Sequence, residues 1–296
     1  MHKLTIKIKD LPRGFVLYRG PSRFDGTPIA VVATGIKRRS GNRKTGYLVQ
    51  TWILPLGADG RAILPHRAVK SGADRAVCGA CPLRPGAGGG CYVRLDTAPR
   101  EIAESFNAGR YVDAAPAYVA AIVADHVRAG RIDGFRIGSW GDPAAVPADV
   151  WRAIVDTVRI AGGVTPGYTH AWSSRYATRP EAVATADRYG FLMASAHGAA
   201  DRIRARAAGF RAFTLLAKEE RVEGAFQCPA TVSTGYRKTC AECGACDGKR
   251  DADDRRADPL IVVHGGAPKA AARTIDAVAA FLTAAADAVS ETTPEA

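Results

Sequence analysis

The sequence lacks the strings that would place it in several well-known classes of protein. It has no G-x-x-x-x-G-K-[S/T] string and no G-x-G-x-x-G string after a predicted strand. Those absences argue against an ordinary P-loop or dinucleotide-binding protein. It also has no G-x-S-x-G and no H-E-x-x-H string, so a motif-bearing serine hydrolase or zinc peptidase is not indicated. Aromatic residues make up only 7% of the chain, and we find no internal repeat.

Membrane and secretion signals are also missing from the sequence. No stretch approaches the ~18 apolar residues of a membrane span. The first residues, Met1 to Lys7, lack the apolar core of a signal peptide. We therefore expect a cytoplasmic protein without a membrane partner, in a reducing compartment where clustered cysteines more often bind metal or carry redox chemistry than form disulfides.

Seven cysteines are present, and they fall into two groups. The first group reads C-x2-C-x9-C and the second C-x11-C-x2-C-x2-C. Because seven is odd, complete disulfide pairing within the chain is impossible. Three thiolates can hold an iron–sulfur cluster with one iron left open, whereas four can close a cluster or a zinc ion completely. All seven are therefore candidate metal ligands: Cys78, Cys81, Cys91, Cys228, Cys240, Cys243 and Cys246.

The chain is basic, with a net charge of +12 and a pI near 9.6. Its densest basic stretch is Lys37 to Lys44, in which five of eight residues are cationic. The charge favours a nucleotide or nucleic-acid partner, and this stretch could contact phosphates. Two simpler explanations remain open, namely the codon bias of a GC-rich genome and a solvated hairpin tip.

The hydrophobic pattern predicts an α/β protein with a partial (β/α) barrel-like parallel sheet. Alternation over Leu4 to Lys9 and apolar runs at Ile29 to Ile36 and Tyr47 to Leu54 predict early strands. From residue 99 onward, helices alternate with short apolar strands, which is typical of parallel sheets. A helix is expected at about 180–188, and the charged tract Lys249 to Asp258 is expected to be mobile.

We divide the chain into four regions on this basis. The first is strand-rich, the second combines a cysteine loop with the β/α core, the third is a cysteine-rich insertion, and the fourth holds a closing strand and a C-terminal helix. Their bounds are 1–75, 76–220, 221–258 and 259–296.

Ligands of parallel sheets bind at the carboxyl ends of the strands, and polar clusters occur at three such ends here. The first contains Ser139, Gly141 and Asp142, and the Asp142 carboxylate could accept hydrogen bonds from an amine or a ribose hydroxyl. An alternative role for Asp142 is a helix cap. The candidate catalytic residues are Asp142, Tyr168 and His170. The candidate cofactor-binding residues are Gly141, Asp142, Pro143, Ser195 and His197.

Other residues in these clusters keep more than one interpretation. His170 could donate a proton, contact a ligand or supply a fourth cluster ligand, or it could be a hydrogen-bonded core histidine. His264 ends a predicted strand beside glycines and is a weaker candidate. Tyr92 could simply pack over the first cysteine site. Candidate anion contacts of low individual specificity are Arg94, Arg110 and Arg136.

Several strings together resemble a cysteine-rich family of uncharacterised phage and prophage proteins. The resemblance covers most of residues 42–266 and says little about function, because members of that family are mostly unassigned. The strings that carry it are Asn42 to Gly46, Gln50 to Trp52, Cys78 to Arg84, Gly90 to Val93, Gly141 to Pro143, Gly167 to His170, Cys228 to Ala230, the Cys240, Cys243 and Cys246 triplet, and His264 to Gly265.

A more distant similarity is to the radical S-adenosylmethionine superfamily. In that superfamily, three cysteines ahead of a β/α run hold a [4Fe–4S] cluster, and a Gly-Gly-Glu-Pro string contacts the amino group of the cofactor. The similarity implies that Cys78, Cys81 and Cys91 hold the open cluster, that Gly141 to Pro143 contacts S-adenosylmethionine, and that the four later cysteines hold an auxiliary cluster. Here the cysteine spacing and the acidic residue differ from that superfamily's usual C-x3-C-x2-C and Glu.

Three functions follow as hypotheses. The first is a radical-SAM-like iron–sulfur enzyme that takes electrons from a donor and acts on a nucleotide or nucleic acid. The second is a nucleic-acid-binding protein stabilised by zinc, with His66 or His170 completing the first group. The third is an iron–sulfur protein that senses redox state or carries electrons.

Overall fold

The structure is a computed structural model that describes residues 7–231, 234–264 and 267–291, with side chains described through Leu282. These residues form a mixed α/β fold in which parallel strand pairs predominate. The first half of the predicted strand Leu4 to Lys9 lies outside the described residues, and its described half is not a strand. Ile8–Asp10 forms a 3-10 turn because the Asp10 amide bonds back to the Lys7 carbonyl at 2.9 Å.

The first sheet has five strands in the order β4-β1-β2-β3-β5. Strand β2 is antiparallel to both of its neighbours, β1 and β3, whereas β4 and β5 run parallel to their neighbours β1 and β3. All eight residues of β3 are buried, as expected for a central strand covered on both faces. The strands are β1 Gly14–Pro21, β2 Pro28–Thr34, β3 Leu48–Pro55, β4 Val112–Asp113 and β5 Gly134–Trp140.

The second sheet has five strands, all parallel, in the order β6-β7-β8-β10-β9. Parallel bridges from Gly134 to Val164 and from Ile137 to Gly167 link β5 to the segment before β6. The parallel order therefore continues from the first sheet into the second. The strands are β6 Tyr168–Thr169, β7 Met193–His197, β8 Ala212–Leu216, β9 Ala225–Gln227 and β10 Asp258–Val262.

The expected parallel α/β character is confirmed, but the barrel-like shape is not. No closed barrel occurs within residues 7–231, 234–264 and 267–291, where β4 and β9 remain the outer strands of the two sheets. Strand β4 has only two residues and both are exposed, so it offers little backbone for closing a ring.

Nine α-helices connect and cover these strands in the described part of the chain. None of them is long and apolar enough to cross a membrane. Those predicted at Pro99 to Ala108, Pro116 to Ala129 and about 148–161 are confirmed within one residue at each end. The helices are α1 Pro65–Ser71, α2 Arg75–Cys78, α3 Ala98–Asn107, α4 Pro116–Arg128, α5 Ala148–Ile160, α6 Ala186–Tyr189, α7 Ala199–Ala207, α8 Cys240–Cys243 and α9 Pro268–Glu291.

One local prediction is wrong, and a second concerns a segment that makes several contacts. The helix expected at 180–188 is a 3-10 turn, Pro180–Ala182, followed by the short α6, because the chain between them is extended and the Ala184 amide bonds to the Ala171 carbonyl. The charged tract Lys249 to Asp258 is held by hydrogen bonds and ion pairs to buried arginines, which are described below.

Helix α5 shows how the core positions the polar end of β5. Trp151, Ile154, Val155 and Val158 form its buried face with the spacing of an amphipathic helix. The Trp151 indole donates a hydrogen bond of 2.9 Å to the Pro143 carbonyl. The packing of this helix therefore holds the Gly-Asp-Pro string at the end of β5.

Candidate functional site

A cavity of about 410 Å³ borders both cysteine groups. Its volume lies within the ~300–1,000 Å³ typical of small-molecule sites. Of the predicted site residues, Gly141, Asp142, Tyr168, His170 and Ser195 line it, whereas Pro143, His197 and Cys243 do not. The six cysteines on its border are Cys78, Cys81, Cys91, Cys228, Cys240 and Cys246.

The first two cysteines are positioned by the end of α2. Cys78 is the last residue of this helix, and the Cys81 amide donates to the Cys78 carbonyl at 3.2 Å, so both thiols belong to one turn. Gly79 between them has a φ of +58°, and a Cβ there would lie 3.1 Å from the Phe24 ring. The turn therefore needs a glycine both for its conformation and for its fit against the core.

The rest of the first cysteine loop is held by one buried ion pair and by close backbone packing. Arg84 and Asp74 pair at 2.7 Å beneath the loop, with both side chains nearly inaccessible to solvent. A Cβ on Gly90 would lie 2.4 Å from the Ala271 amide of α9. The glycine thus brings Cys91, the next residue, against the C-terminal helix.

Burial raises the pKa of all three thiols in this group, and the neighbouring cysteines raise the pKa values of Cys78 and Cys81 further. Asp142 acts in the same direction on the pKa values of Cys78 and Cys81. Three thiolates here would thus face carboxylates and one another. A bound cation would relieve that repulsion, so this donor set suits a positively charged inorganic group.

Asp142 joins the ends of two parallel strands. Its carboxylate accepts hydrogen bonds from the Ala144 amide at 2.9 Å and the His170 amide at 2.7 Å, and its own amide donates to the Val77 carbonyl at 2.6 Å. Burial raises the pKa of the carboxyl group, while these backbone donors lower it. The capping role anticipated for Asp142 is thus present together with its place on the cavity border.

His170 lies beside the first cysteine group. Its Nε2 is 3.6 Å from the Cys81 sulfur, and its ring stacks on His197 with centroids 5.2 Å apart. Burial lowers the pKa of His170 well below its ordinary value, and His197 lowers it further. The imidazole is therefore neutral near pH 7, with one ring nitrogen protonated and the other able to accept or coordinate.

His197 belongs to a buried polar group behind His170 rather than to the cavity wall. It is fully inaccessible to solvent, and its amide donates to Asp201 at 2.9 Å. Tyr176 donates to the same carboxylate oxygen at 3.2 Å and contacts both imidazole rings. Asp201 and Tyr176 were not predicted, although a histidine and an aspartate four residues apart at the start of a helix form a recognisable pattern.

Ser195 also has a structural contact. It is buried, and its carbonyl accepts a hydrogen bond of 2.9 Å from the Trp172 indole. This bond ties the end of β7 to the loop after β6, which also carries His170.

The second cysteine group is built on a single helical turn, α8. Thr239 and Glu242 form a reciprocal capping box at its start. The Cys240 and Ala241 amides donate to the carbonyls of Lys44 and Thr45 at 2.8 and 3.2 Å. The turn is therefore docked on the β2–β3 hairpin, which carries the basic stretch Lys37 to Lys44.

Burial raises the pKa values of Cys228, Cys240 and Cys246, and other cysteines of the group add to this effect. Unlike the first group, this one lies near cations, because Arg136 and Lys44 both lower the pKa of Cys240. Tyr168 contacts the group through a side-chain hydrogen bond with Cys246. Tyr168 thus supports a thiol rather than projecting freely into the cavity.

Buried Arg211 fixes the backbone that follows these cysteines. Its guanidinium donates to the carbonyls of Ala245, Gly248 and Ala257, at 2.8, 3.3 and 2.7 Å, and pairs with Asp258 at 3.4 Å. Sequence reasoning missed this residue, yet a lone arginine between Phe210 and Ala212 at the start of an apolar strand is a detectable signal.

Two further arginines, Arg159 and Arg256, bind the same segment, and we call Arg159, Arg211 and Arg256 together the arginine clamp. Arg159 of α5 donates to the carbonyls of Asp247, Lys249 and Phe191. Arg256 bonds to the Asp247 carboxylate at 2.8 Å and to Asp254. The segment expected to be mobile is thus bonded to α5 through Arg159 and to the residue before β8 through Arg211, by charge-assisted hydrogen bonds.

The basic residues singled out in the sequence divide between surface and cavity. Lys37, Arg38 and Arg39 are exposed at the hairpin tip, whereas Lys44 lines the cavity. Arg136 also lines it and donates to the Tyr92 hydroxyl at 3.2 Å. Arg94 and Arg110 are exposed, and neither lines the cavity.

Three side chains with uncertain roles can be placed. Tyr92 is half-exposed on the cavity border and His264 is exposed there, with its Nδ1 3.2 Å from the Val262 carbonyl. His66 is exposed on α1 and does not line the cavity. Among the described residues, no three or more His, Cys, Asp or Glu side chains are grouped closely enough to hold a single metal ion.

Comparison with known proteins gives no assignment for this chain. The chain matches no protein-family model, and no curated protein or solved structure matches it either.

Proposed function

We propose that this protein is a radical-SAM-like iron–sulfur enzyme with two [4Fe–4S] clusters, acting on a nucleotide or nucleic-acid substrate. Cys78, Cys81 and Cys91 would hold an open cluster. Cys228, Cys240, Cys243 and Cys246 would hold a closed one. The observation that carries the proposal is that both groups border one cavity together with Gly141 and Asp142.

The donor chemistry supports iron and sulfide in the first group. Its three thiols are buried, their pKa values are raised by burial and by one another, and acids rather than cations stand out among their neighbours. Such thiolates are stabilised by a cationic inorganic centre. An open cluster with bound S-adenosylmethionine supplies one-electron chemistry, which requires an external electron donor.

The chain's own residues would position and shield this chemistry. Gly141 has a φ of +87°, and a Cβ there would lie 2.7 Å from Ile53, so the Gly-Asp-Pro turn approaches the cavity as bare backbone. The Asp142 carboxylate is a buried acceptor on the cavity border that already receives hydrogen bonds from the Ala144 and His170 amides and from Thr169 and Ala171, and an amine of the cofactor would be a further donor to it. Neutral His170 can donate toward the Cys81 sulfur.

The first test is the metal and sulfide content of protein purified without oxygen. Two filled clusters give about eight irons and eight sulfides per chain. The matched pair of variants is Cys78→Ala/Cys81→Ala and Cys240→Ala/Cys243→Ala. Each should lower both contents by about half, and cleavage of S-adenosylmethionine after reduction should be lost in the first.

Three outcomes would count against the proposal in different ways. Colourless protein that carries zinc and takes up no iron or sulfide would overturn it in favour of a zinc-stabilised protein. Full clusters with no cofactor cleavage would leave an electron carrier or redox sensor. Equal loss of iron in both variants to near zero would contradict two separate sites.

A further inference from the structure

We propose that the cavity binds a small anionic substrate, whose phosphate or carboxylate group is held by Arg136 and Lys44. This inference rests on the proposed function only in taking the cavity for the substrate site. It concerns residues outside both cysteine groups and outside the Gly-Asp-Pro string.

The first argument is the charge of the cavity wall. Arg136 and Lys44 both line it, and the Lys44 carbonyl accepts a hydrogen bond of 2.8 Å from the Cys240 amide, which places Lys44 beside the second cysteine group. The one acidic residue on the described border is Asp142, and its oxygens already accept two backbone hydrogen bonds. The charged side chains of the described wall are therefore two cations, Arg136 and Lys44, and one hydrogen-bonded carboxylate, Asp142.

The second argument is that these cations have few partners. Arg136 donates to the Tyr92 hydroxyl, and Lys44 lies 5.3 Å from the ring centre of Tyr236. Within residues 7–231, 234–264 and 267–282, neither forms an ion pair with a carboxylate. A guanidinium has five N–H donors in a planar fork, so Arg136 keeps donors for a two-oxygen anion.

The lack of a carboxylate partner at Arg136 and Lys44 differs from what is seen at several other arginines of the chain. Arg84, Arg211 and Arg256 each meet a carboxylate within 3.4 Å, and Arg159 meets three backbone carbonyls. The protein thus neutralises the arginines that build its framework. The two cations of the cavity are left to a ligand.

The third argument is the apolar surface beside these cations. The ring centroids of Tyr168 and Phe213 are 4.9 Å apart. The apolar residues that line the cavity here are Phe213, Leu215, Ile261 and Val263. An apolar wall with a few converging polar groups is the usual form of a small-molecule site. The ligand therefore combines an anionic group with a flat or apolar body, as a nucleoside monophosphate or an aromatic carboxylate does.

The test is isothermal titration calorimetry on anaerobically purified protein, with two matched pairs of probes. The first pair is adenosine 5′-monophosphate and adenosine, and the second is indole-3-acetate and indole-3-acetamide. We expect the anion of at least one pair to bind about tenfold or more tightly than its neutral partner. The pair that shows the difference identifies the phosphate or the carboxylate as the anion.

Variants locate the anion. Arg136→Met and Lys44→Met should each weaken binding of the preferred anion by about tenfold and leave the neutral probe unchanged. Tyr92→Phe removes the acceptor of Arg136 and should not weaken the anion. The matched control is Arg94→Met, because Arg94 is exposed, pairs with Asp96 and does not line the cavity.

The competing explanation is that these cations only balance the charge of the second cysteine group. In that case Arg136→Met would lower iron content while anion affinity stayed at the native value, which would overturn the inference. Undiminished anion binding in both Met variants, or equal binding of charged and neutral probes, would also overturn it. If Arg136→Met loses iron and affinity together, Lys44→Met decides: a tenfold loss supports the inference, and no loss overturns it.

These experiments distinguish a failure of this inference from a failure of the proposed function. Anion binding that depends on Arg136 in a protein without iron would sustain this inference and reject the enzyme assignment. Filled clusters and cofactor cleavage without anion binding would do the reverse.

Discussion

The two cysteine segments are held in place by different physical means. The first relies on close apolar packing, with glycines fitted against Phe24 and α9, and on one ion pair, Asp74 with Arg84. The second is clamped by buried guanidinium groups that bind its carbonyl oxygens. Packing is sensitive to added volume, whereas a charged clamp is sensitive to the loss of a single partner. Different substitutions should therefore destabilise the two segments.

The largest effect should come from breaking the clamp with Arg211→Met. It removes three hydrogen bonds to carbonyl oxygens and leaves Asp258 buried without one of its partners. We expect the free energy of unfolding to fall by about 3–5 kcal/mol, measured by urea denaturation. The matched control is Arg250→Met, which removes an exposed partner of Asp247 and should cost less than about 1 kcal/mol. Similar losses in both variants would show that Arg211 does not hold the segment.

The next largest loss of stability should come from Asp142→Asn, a substitution beside the first cysteine group. The amide nitrogen of asparagine cannot accept the hydrogen bond from the His170 amide, so a buried donor loses its partner. We expect a loss of about 2–3 kcal/mol in the free energy of unfolding. Asp125→Asn, which removes only a surface pair with Arg128, is the control and should cost less than about 1 kcal/mol. Native stability in Asp142→Asn would mean that the two strand ends are not held by this carboxylate.

A smaller effect, specific to packing, should follow from Gly90→Ala. The added methyl group would lie 2.4 Å from the Ala271 amide and push the first loop away from α9. We expect a loss of about 1–2 kcal/mol. Gly86→Ala places its methyl group no closer than 3.4 Å to its neighbours and should be nearly neutral. Thermal denaturation of both variants checks the difference, and equal melting temperatures would argue against a packed loop.

The smallest effect should be a pH dependence within the clamp. Hydrogen bonds from Arg256 hold the pKa of Asp254 below its ordinary value. This carboxylate therefore contributes stability above its unfolded pKa of about 3.9, and that contribution disappears as pH falls toward the folded pKa. Asp254→Asn should be less stable than the native protein at about pH 6, with a smaller difference at about pH 3. A difference that stays constant between these pH values would contradict the pairing.

The sequence was sufficient to predict the parallel α/β character and most helix positions, because apolar periodicity and Gly or Pro boundaries are local signals. It also pointed to Gly141, Asp142, Tyr168, His170 and Ser195, which share one cavity. It could not show that both cysteine groups face that cavity, since this depends on contacts such as Cys240 with Lys44 across almost two hundred residues.

Local pattern was misleading where tertiary contacts decide the conformation. The charged tract Lys249 to Asp258 has the composition of a mobile loop, but its order depends on Arg159 and Arg211 elsewhere in the chain. His197 stands at the end of a predicted strand, yet its imidazole is buried against His170 with its Nδ1 3.6 Å from Asp201, and it does not line the cavity.

The cavity border runs along the chain from Asn42 to Ala271. The carbonyl of Lys44 meets the Cys240 amide only when the hairpin and α8 are both present. During synthesis, the hairpin and the first cysteine loop therefore emerge long before the residues that complete the wall. The cavity can therefore enclose a bound group only after nearly all of the chain to Ala271 has left the ribosome, and until then the first three thiols lack the part of the wall that the later residues supply.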